Sequence, residues 1–283
     1  MKKLLAFAAL APFAIAGLSG ADTATIEPGI LAQIEAGQPM RMEYQIKASA
    51  WVLFIPISGK ANFNVEMNAD TYSMRSKVKT TGLADILVNY DMDLAASGYT
   101  TPNGLKTYAY VSQNNDGKKN RRVDMKYLQE DFEMVATPRF GNLGDPAATP
   151  EQVLDANDPI TALISFALKP RAEGTDPCGE PLKIFDGRQL THLHLTSHGL
   201  KDVKSKAYKG KAWECHVKMD KVAGYKKGES NKDTLSGIDG PLRMWLAPLP
   251  NGATVPVRIE AETDDIGKVT LQASKLKFTP IEE

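Results

Sequence analysis

The sequence predicts a mainly β protein: one large, strongly curved antiparallel sheet, an open barrel or spiral, with a short helix packed on it. Three observations lead there. Apolar and polar residues alternate with period two in about a dozen segments, the signature of strands with one buried face. Turn residues separate these segments at short intervals, which favours a meander over a parallel sheet with helical crossovers. A proline-rich stretch divides the segments into two blocks, and the segment just after it has clear helical spacing.

The elements follow in order. Residues 1–21, MKKLLAFAALAPFAIAGLSGA, place Lys2 and Lys3 before an apolar run that ends in small residues, so they read as a signal peptide. Pro12 breaks the run, which falls short of the roughly 20 residues a membrane span needs. Cleavage after Ala16 or after Ala21 satisfies the small-x-small rule, and no cysteine follows either site to take a lipid. Residues 22–39 form an N-terminal segment, with a possible helix near Pro28 to Ala36 that Gly37 would end. Residues 40–283 then read as a single β-rich domain.

In the first block Met42, Tyr44, Ile46, Ala48 and Ala50 alternate with Arg41, Glu43, Gln45, Lys47 and Ser49. Phe63 to Met67, Tyr72 to Val78, Val88 to Leu94, Tyr108 to Val111 and Val123 to Tyr127 continue the pattern. Asn68-Ala69-Asp70, Pro102-Asn103-Gly104 and Asn114-Asn115-Asp116-Gly117 supply turns. An irregular crossover at 137–158 holds Pro138, Pro146 and Pro150. It leads to Asp158, a good helix cap, Pro159 at the first helical position, and the stripe Ile160, Leu163, Ile164, Ala167, Leu168, with Pro170 closing the helix. In the second block Trp213, Cys215, Val217 and Met219 oppose Ala212, Glu214, His216 and Lys218. Strands at Leu242 to Leu246, Val255 to Ala261 and Val269 to Ala273 complete it.

The chain carries 34 basic and 34 acidic residues, and loss of the leader lysines turns the balance slightly acidic. Nucleic acid is therefore excluded as an expected partner, since a phosphate backbone demands a concentrated basic face. Cys178 and Cys215 are the only cysteines, an even count that reads as a structural disulfide in an exported protein. Cys215 shares the apolar face of Trp213 and Val217, so it is expected to be buried. His192 and His194 lie on one strand face and could hold a metal only if His198 or Glu214 added a third ligand. A solvated strand face is the simpler reading, and no metal or cofactor is expected. The nucleophile elbow, zinc-protease, P-loop and dinucleotide motifs are all missing from the sequence, so no enzyme activity is expected.

The run Trp51-Val52-Leu53-Phe54-Ile55-Pro56-Ile57 is more apolar than a half-exposed strand requires. Either it crosses the core or it forms an apolar lip facing a ligand, a partner or a membrane. Trp51, Leu53, Phe54 and Ile55, with Leu163 on the helix, are the candidate ligand-lining residues. Methionines 40, 42, 67, 74, 92, 125 and 134 would suit either an adaptable cavity or a loose core.

Several spaced elements resemble a family of bacterial exported proteins, the domain of unknown function 3108. They are Asp158-Pro159-Ile160, Cys178, Phe185-Asp186-Gly187-Arg188-Gln189, Cys215-His216-Val217, Val222-Ala223-Gly224-Tyr225, Pro241 to Leu246 and Pro256-Val257-Arg258. Tyr44, Gly59, Tyr72, Thr81-Gly82-Leu83 and Pro102 fall in the same order in the first block. The resemblance implies an open barrel or spiral sheet of the shape seen in periplasmic lipoprotein carriers, and an envelope location. It implies no activity, because fold alone does not. Together these readings lead to a non-enzymatic periplasmic protein that binds a lipid or other hydrophobic ligand in a curved sheet. The alternative is a scaffold supporting envelope integrity through protein partners.

Overall fold

The computed structural model describes residues 30–52, 55–81, 90–117, 120–172, 174–227, 238–249, 252–263 and 267–282. The leader lies outside them. Helix α1 (Ile30–Glu35) buries Ile30, Leu31 and Ile34, and Gly37 ends it at a φ of 84°, the left-handed geometry that glycine adopts without strain.

The first block supplies β1 (Met40–Val52), β2 (Ile55–Met67), β3 (Thr71–Thr81), β4 (Asp91–Thr101), β5 (Gly104–Asn114), β6 (Arg122–Tyr127) and β7 (Phe132–Thr137). The second supplies β8 (Leu182–Phe185), β9 (Leu190–Lys204), β10 (Lys209–Ala223), β11 (Ile238–Pro248), β12 (Thr254–Thr263) and β13 (Gly267–Pro280). All thirteen belong to one antiparallel sheet in the order β7-β6-β5-β4-β3-β2-β1-β13-β12-β11-β10-β9-β8. Each block is a meander, and the two join where β1 pairs with β13, from Met40 opposite Pro280 to Ser49 opposite Thr270. The free edges, β7 and β8, therefore lie mid-chain.

Strand alternation decides the inner face. Met42, Tyr44, Phe63, Val65, Met74, Tyr110, Val123 and Met125 are buried, while Glu43, Gln45, Asn64 and Arg75 point outward. Tyr44 and Phe63 stack with ring centroids 5.6 Å apart. The Tyr44 hydroxyl donates to the Pro256 carbonyl two strands away, at a stretch of β12 that pairs with β11 but not with β13.

The crossover is more ordered than its prolines suggest. It contains a short helix, α2 (Pro150–Leu154), started by a capping box. The Thr149 hydroxyl accepts from the Gln152 amide, while the Gln152 side chain accepts from the Thr149 amide. Thr149-Pro150-Glu151-Gln152 carried that signal in plain sequence. Helix α3 (Pro159–Leu168) has the expected bounds, but not the expected single stripe. Thr161, Ala162 and Phe166 are buried along with Ile160, Ile164, Ala167 and Leu168. The reason is topological: α3 packs against β4 and β5 of one block and β8 and β12 of the other. A sheet can touch one ten-residue helix from strands so far apart in its order only by curling around it. Phe166 points into a second cluster with Leu182, Leu195, Cys215, Val217, Met244 and Leu246, whereas the rest of the helix joins the main core.

Asn157 closes the curled sheet. Beyond Ala109, β5 has no β6 partner toward its start, so the backbone of Leu105 and Thr107 needs other bonds. The Asn157 side-chain oxygen accepts from the Thr107 amide at 3.1 Å, and its amide group donates to the Leu105 carbonyl at 3.3 Å. The backbone of Asn157 meanwhile bonds β8, donating to Lys183 and accepting from Phe185. A single residue thus spans from β5 to β8, and Phe132 of β7 packs edge-on to Phe185 of β8 with centroids 5.8 Å apart. The sheet stays open as a ladder, and side chains and one bridging residue link its two edges. Asn157→Ala should cost on the order of 2 kcal/mol, because it strands two buried backbone groups; equal denaturant midpoints for variant and parent would refute that role.

Candidate functional site

Helix α3 does not fill the whole concave face. At the end of the sheet where β4 begins and β5 ends, a hollow of about 440 Å³ remains. Its apolar wall comes from Met92, Leu94, Tyr110, Val123, Phe140 and Pro159, and its polar groups are Ser112, Asn114, Arg121, Asp186, Arg188 and Gln189, with Tyr90 at the rim. The apolar side chains arrive there by alternation. Leu94 pairs with Ser112 and Ser112 with Val123, so the three form one inward rung across β4, β5 and β6.

The polar wall is the tight turn between β8 and β9. Asp186 Oδ1 accepts from the Arg188 amide at 2.8 Å and the Gln189 amide at 2.7 Å. Gly187 between them has a φ of 99°, and a Cβ there would sit 2.6 Å from Val123 Cγ1, so only glycine lets this turn lie flat on β6. Arg188 donates through Nη2 to Asn142, while its Nε is buried with no partner among the described residues. Arg121 donates to the carbonyls of Pro138 and Arg139, with its guanidinium carbon 4.4 Å from the Phe140 ring centre.

Burial pushes the Asp186 carboxyl above the usual carboxylate range, against the opposing pull of its backbone donors and of Arg188. Burial raises Asp158 likewise, at the cap of α3. Both groups hold a proton more tightly folded than unfolded, so their contribution to stability is present below the ordinary value of 3.8 and is lost as pH rises through the raised folded values. Asp186→Asn removes one such group. Its unfolding free energy should rise relative to the parent's as pH climbs from acid to neutral, and a difference constant across that range would count against the assignment.

The expected lining residues fare differently. Leu53 and Phe54 lie outside the described residues, and Trp51 and Ile55 are described only as backbone. That backbone shows a hairpin: Trp51 pairs with Pro56 and Val52 with Ile55. The described ends of the run thus pair with each other at the tip of β1 and β2. Leu163 is partly buried against the main core and is not among the residues that line the hollow. Asp186, Arg188 and Tyr110 were not foreseen as site residues, although Phe185 to Gln189 already stood out as a motif.

Cys178 and Cys215 form the disulfide, with Cα atoms 5.8 Å apart. Cys215 is fully buried beneath Phe166 and Leu246. The histidines form two separate pairs. His192 and His194 have ring centroids 6.4 Å apart, whereas His198 stacks on His216 at 3.5 Å, and His216 Nε2 lies 2.9 Å from Glu214 Oε1. Glu214 and His216 are partly buried, because the second block is covered on both faces, with Ala212 and Trp245 in the main core. The expected solvated face is thus corrected at these two positions. No cluster of three metal-ligating side chains occurs among the described residues. A larger hollow, about 660 Å³, lies on the outer face of β1 to β6, where Phe63, Leu94 and Val111 are ringed by charged side chains such as Glu43, Arg75, Lys77, Asp93 and Lys275.

The model for a protein family of unknown function, DUF3108, matches residues 42–274. The chain belongs to that family. Among solved structures, a β-barrel-like protein of the unknown-function domain DUF1849 from Brucella abortus is 11% identical, with a TM-score of 0.48 over 86% of this chain and 98% of that one. A DUF1329 family protein from Desulfovibrio piger is also 11% identical, with a TM-score of 0.26 over 88% of each chain. Among curated protein sequences, none matches this one. The DUF3108 match runs from Met42, two residues into β1, to Ser274, midway along the ladder of β13 with β1, so it takes in both meanders, the crossover and the hollow. What distinguishes this DUF3108 chain chemically rests on its own residues. No helix among those described is long and apolar enough to cross a membrane.

Proposed function

We propose that the protein is a non-enzymatic envelope protein, exported to the periplasm, that binds a lipid, an acyl chain or a similar hydrophobic molecule at the open end of its curved sheet. The hollow of about 440 Å³ carries this reading. It falls within the roughly 300–1,000 Å³ of small-molecule sites, has a mostly apolar wall, and gathers a few polar groups at one side to orient a head group. Those polar groups favour binding over chemistry. Asp186 is held by two backbone amides and Arg121 by two carbonyls, which leaves no nucleophile paired with a base.

A second reading, a scaffold acting through protein partners, draws support from the near-complete burial of α3, which occupies most of the concave face. One experiment separates the two. Native mass spectrometry of the purified protein should show a bound lipid, and a fluorescent fatty acid should bind with saturation. Leu94→Trp, which fills the hollow from an inward position, should weaken that binding by at least tenfold while the fold persists. A parent protein that carries no lipid and takes up no probe would leave the scaffold.

A further inference from the structure

Two arginines line the hollow of about 440 Å³, and both have hydrogen-bond donors to spare. A guanidinium carries five N–H groups in one plane. Arg188 uses one of them, from Nη2 to Asn142 Oδ1 at 3.0 Å, and its Nε is buried with no partner among the described residues. Arg121 uses two, from Nε to the Pro138 carbonyl and from Nη2 to the Arg139 carbonyl, while its guanidinium lies over the Phe140 ring. Both side chains tie down the start of the crossover, and both are partly buried. A buried N–H without an acceptor has lost its water and found no replacement.

The acceptors of the wall are already engaged. Asp186 Oδ1 accepts from the Arg188 and Gln189 amides, and burial pushes the carboxyl toward its neutral form, which weakens it as a countercharge. Asn142 Oδ1 takes the Gly144 amide as well as Arg188, and Asn114 Oδ1 takes the Asp116 amide. Asp158 is bonded to Thr107 and to the first amides of α3. Among the described residues, neither Arg121 nor Arg188 forms an ion pair. The hollow thus sets two half-buried cations beside an apolar wall, an arrangement that an opposite charge carried in by a ligand would complete.

We propose that the hollow takes a single-chain amphiphile with an anionic oxygen head, a carboxylate or a phosphate ester, and that Arg188 and Arg121 select it over uncharged and cationic lipids. This inference rests on the reading of the hollow as a lipid site and adds the chemistry of the head group. A planar guanidinium matches the paired oxygens of such a head, which a lysine ammonium does not. A volume of about 440 Å³ is near the lower end of the range for small-molecule sites, so it suits one chain better than two.

The test uses the full-length mature protein and an uncharged fluorescent probe, N-phenyl-1-naphthylamine. Dodecanoate, dodecyl phosphate, dodecanol and dodecylamine compete with the probe, each below the concentration at which it forms micelles. One anionic ligand or both should compete at least tenfold better than dodecanol and dodecylamine, the gain expected of hydrogen bonds to a charged group. The stronger of the two anions identifies the head. Arg188→Met, which removes the charge from a side chain of similar length, should bind the probe and dodecanol as the parent does and lose most of the preference. Arg121→Met repeats the test at a second position, and Arg188→Lys should keep part of the preference. The control Arg122→Gln makes the same change in net charge on the outer face, where Arg122 pairs with Asp124, and should rank the ligands as the parent does. Equal competition by all four ligands, with the probe bound, would overturn the inference and leave the lipid site standing. So would a preference that survives in both methionine variants. A parent that binds neither probe nor amphiphile would instead remove the lipid site itself, and the inference with it.

Discussion

Replacing both Cys178 and Cys215 by alanine is expected to lower the melting temperature by roughly 10 °C. The bridge closes a loop across 37 positions. In the chain-entropy account, a loop of that size is worth on the order of 4 kcal/mol through restriction of the unfolded chain. A chain of this length loses roughly 2–4 °C per kcal/mol. The bridge also has a local task. It fastens the segment after α3 to β10, over the cluster that buries Phe166. Reduction of the intact parent should therefore release this segment to proteolysis before the sheet melts. Thermal unfolding with and without reductant checks both points, and coincident melting curves would show that packing alone holds the crossover.

The second large effect is expected at Asp158. Its carboxylate caps α3 by accepting from the amides of Ile160 and Thr161, each at 3.0 Å, and it also accepts from the Thr107 hydroxyl at 2.8 Å. The residue is fully buried. Alanine here removes the cap, at about 1 kcal/mol. The two amides it abandons lie in a dry interior, which costs a further 1–3 kcal/mol or so, while the Thr107 hydroxyl keeps the Asn157 side-chain oxygen at 3.1 Å. The total should approach 3–4 kcal/mol by denaturant titration. Asparagine, a good cap of the same shape, should recover most of it. If Asp158→Asn were as damaging as Asp158→Ala, the carboxylate charge rather than its hydrogen bonds would be the stabilising element.

The strands were legible because one face is buried along most of their length, and burial is what writes period two into a sequence. Met42, Tyr44 and Ile46 are the clearest case. Helix α3 was legible from its ends, Asp158-Pro159 and Pro170, and from its spacing, although enclosure by both blocks buries more of it than one stripe. Strand β7 escaped notice because it is a short edge: on its outer face Val135, 62% exposed, interrupts the polar positions Glu133 and Thr137. Strand β8 has only four residues, too few to show a period. The hollow was the least legible feature. It depends on which inward residues α3 leaves uncovered, and on a β8–β9 turn that reaches β6 only when the sheet has curled. No local pattern in the sequence encodes either. Leu163, chosen for its place on an apolar helix, faces packing instead of space for the same reason.

The pairing of β1 with β13 bears on how the chain reaches this shape. Every other strand pair in the sheet joins sequence neighbours. Local pairings form early at little cost in loop entropy, whereas one that joins residues more than two hundred positions apart waits for nearly the whole chain. The two meanders can therefore organise separately, and the search is concentrated in one late docking event. Until that event, β1 and β13 are open edges able to pair with another copy. Joining the ends of the described chain, already tied by the Ile281 amide to the Pro39 carbonyl at 2.8 Å, and cutting within the crossover would turn the protein into a single uninterrupted meander. Such a permutant should fold faster than the parent and aggregate less on refolding, because the slow non-local step would have become a hairpin.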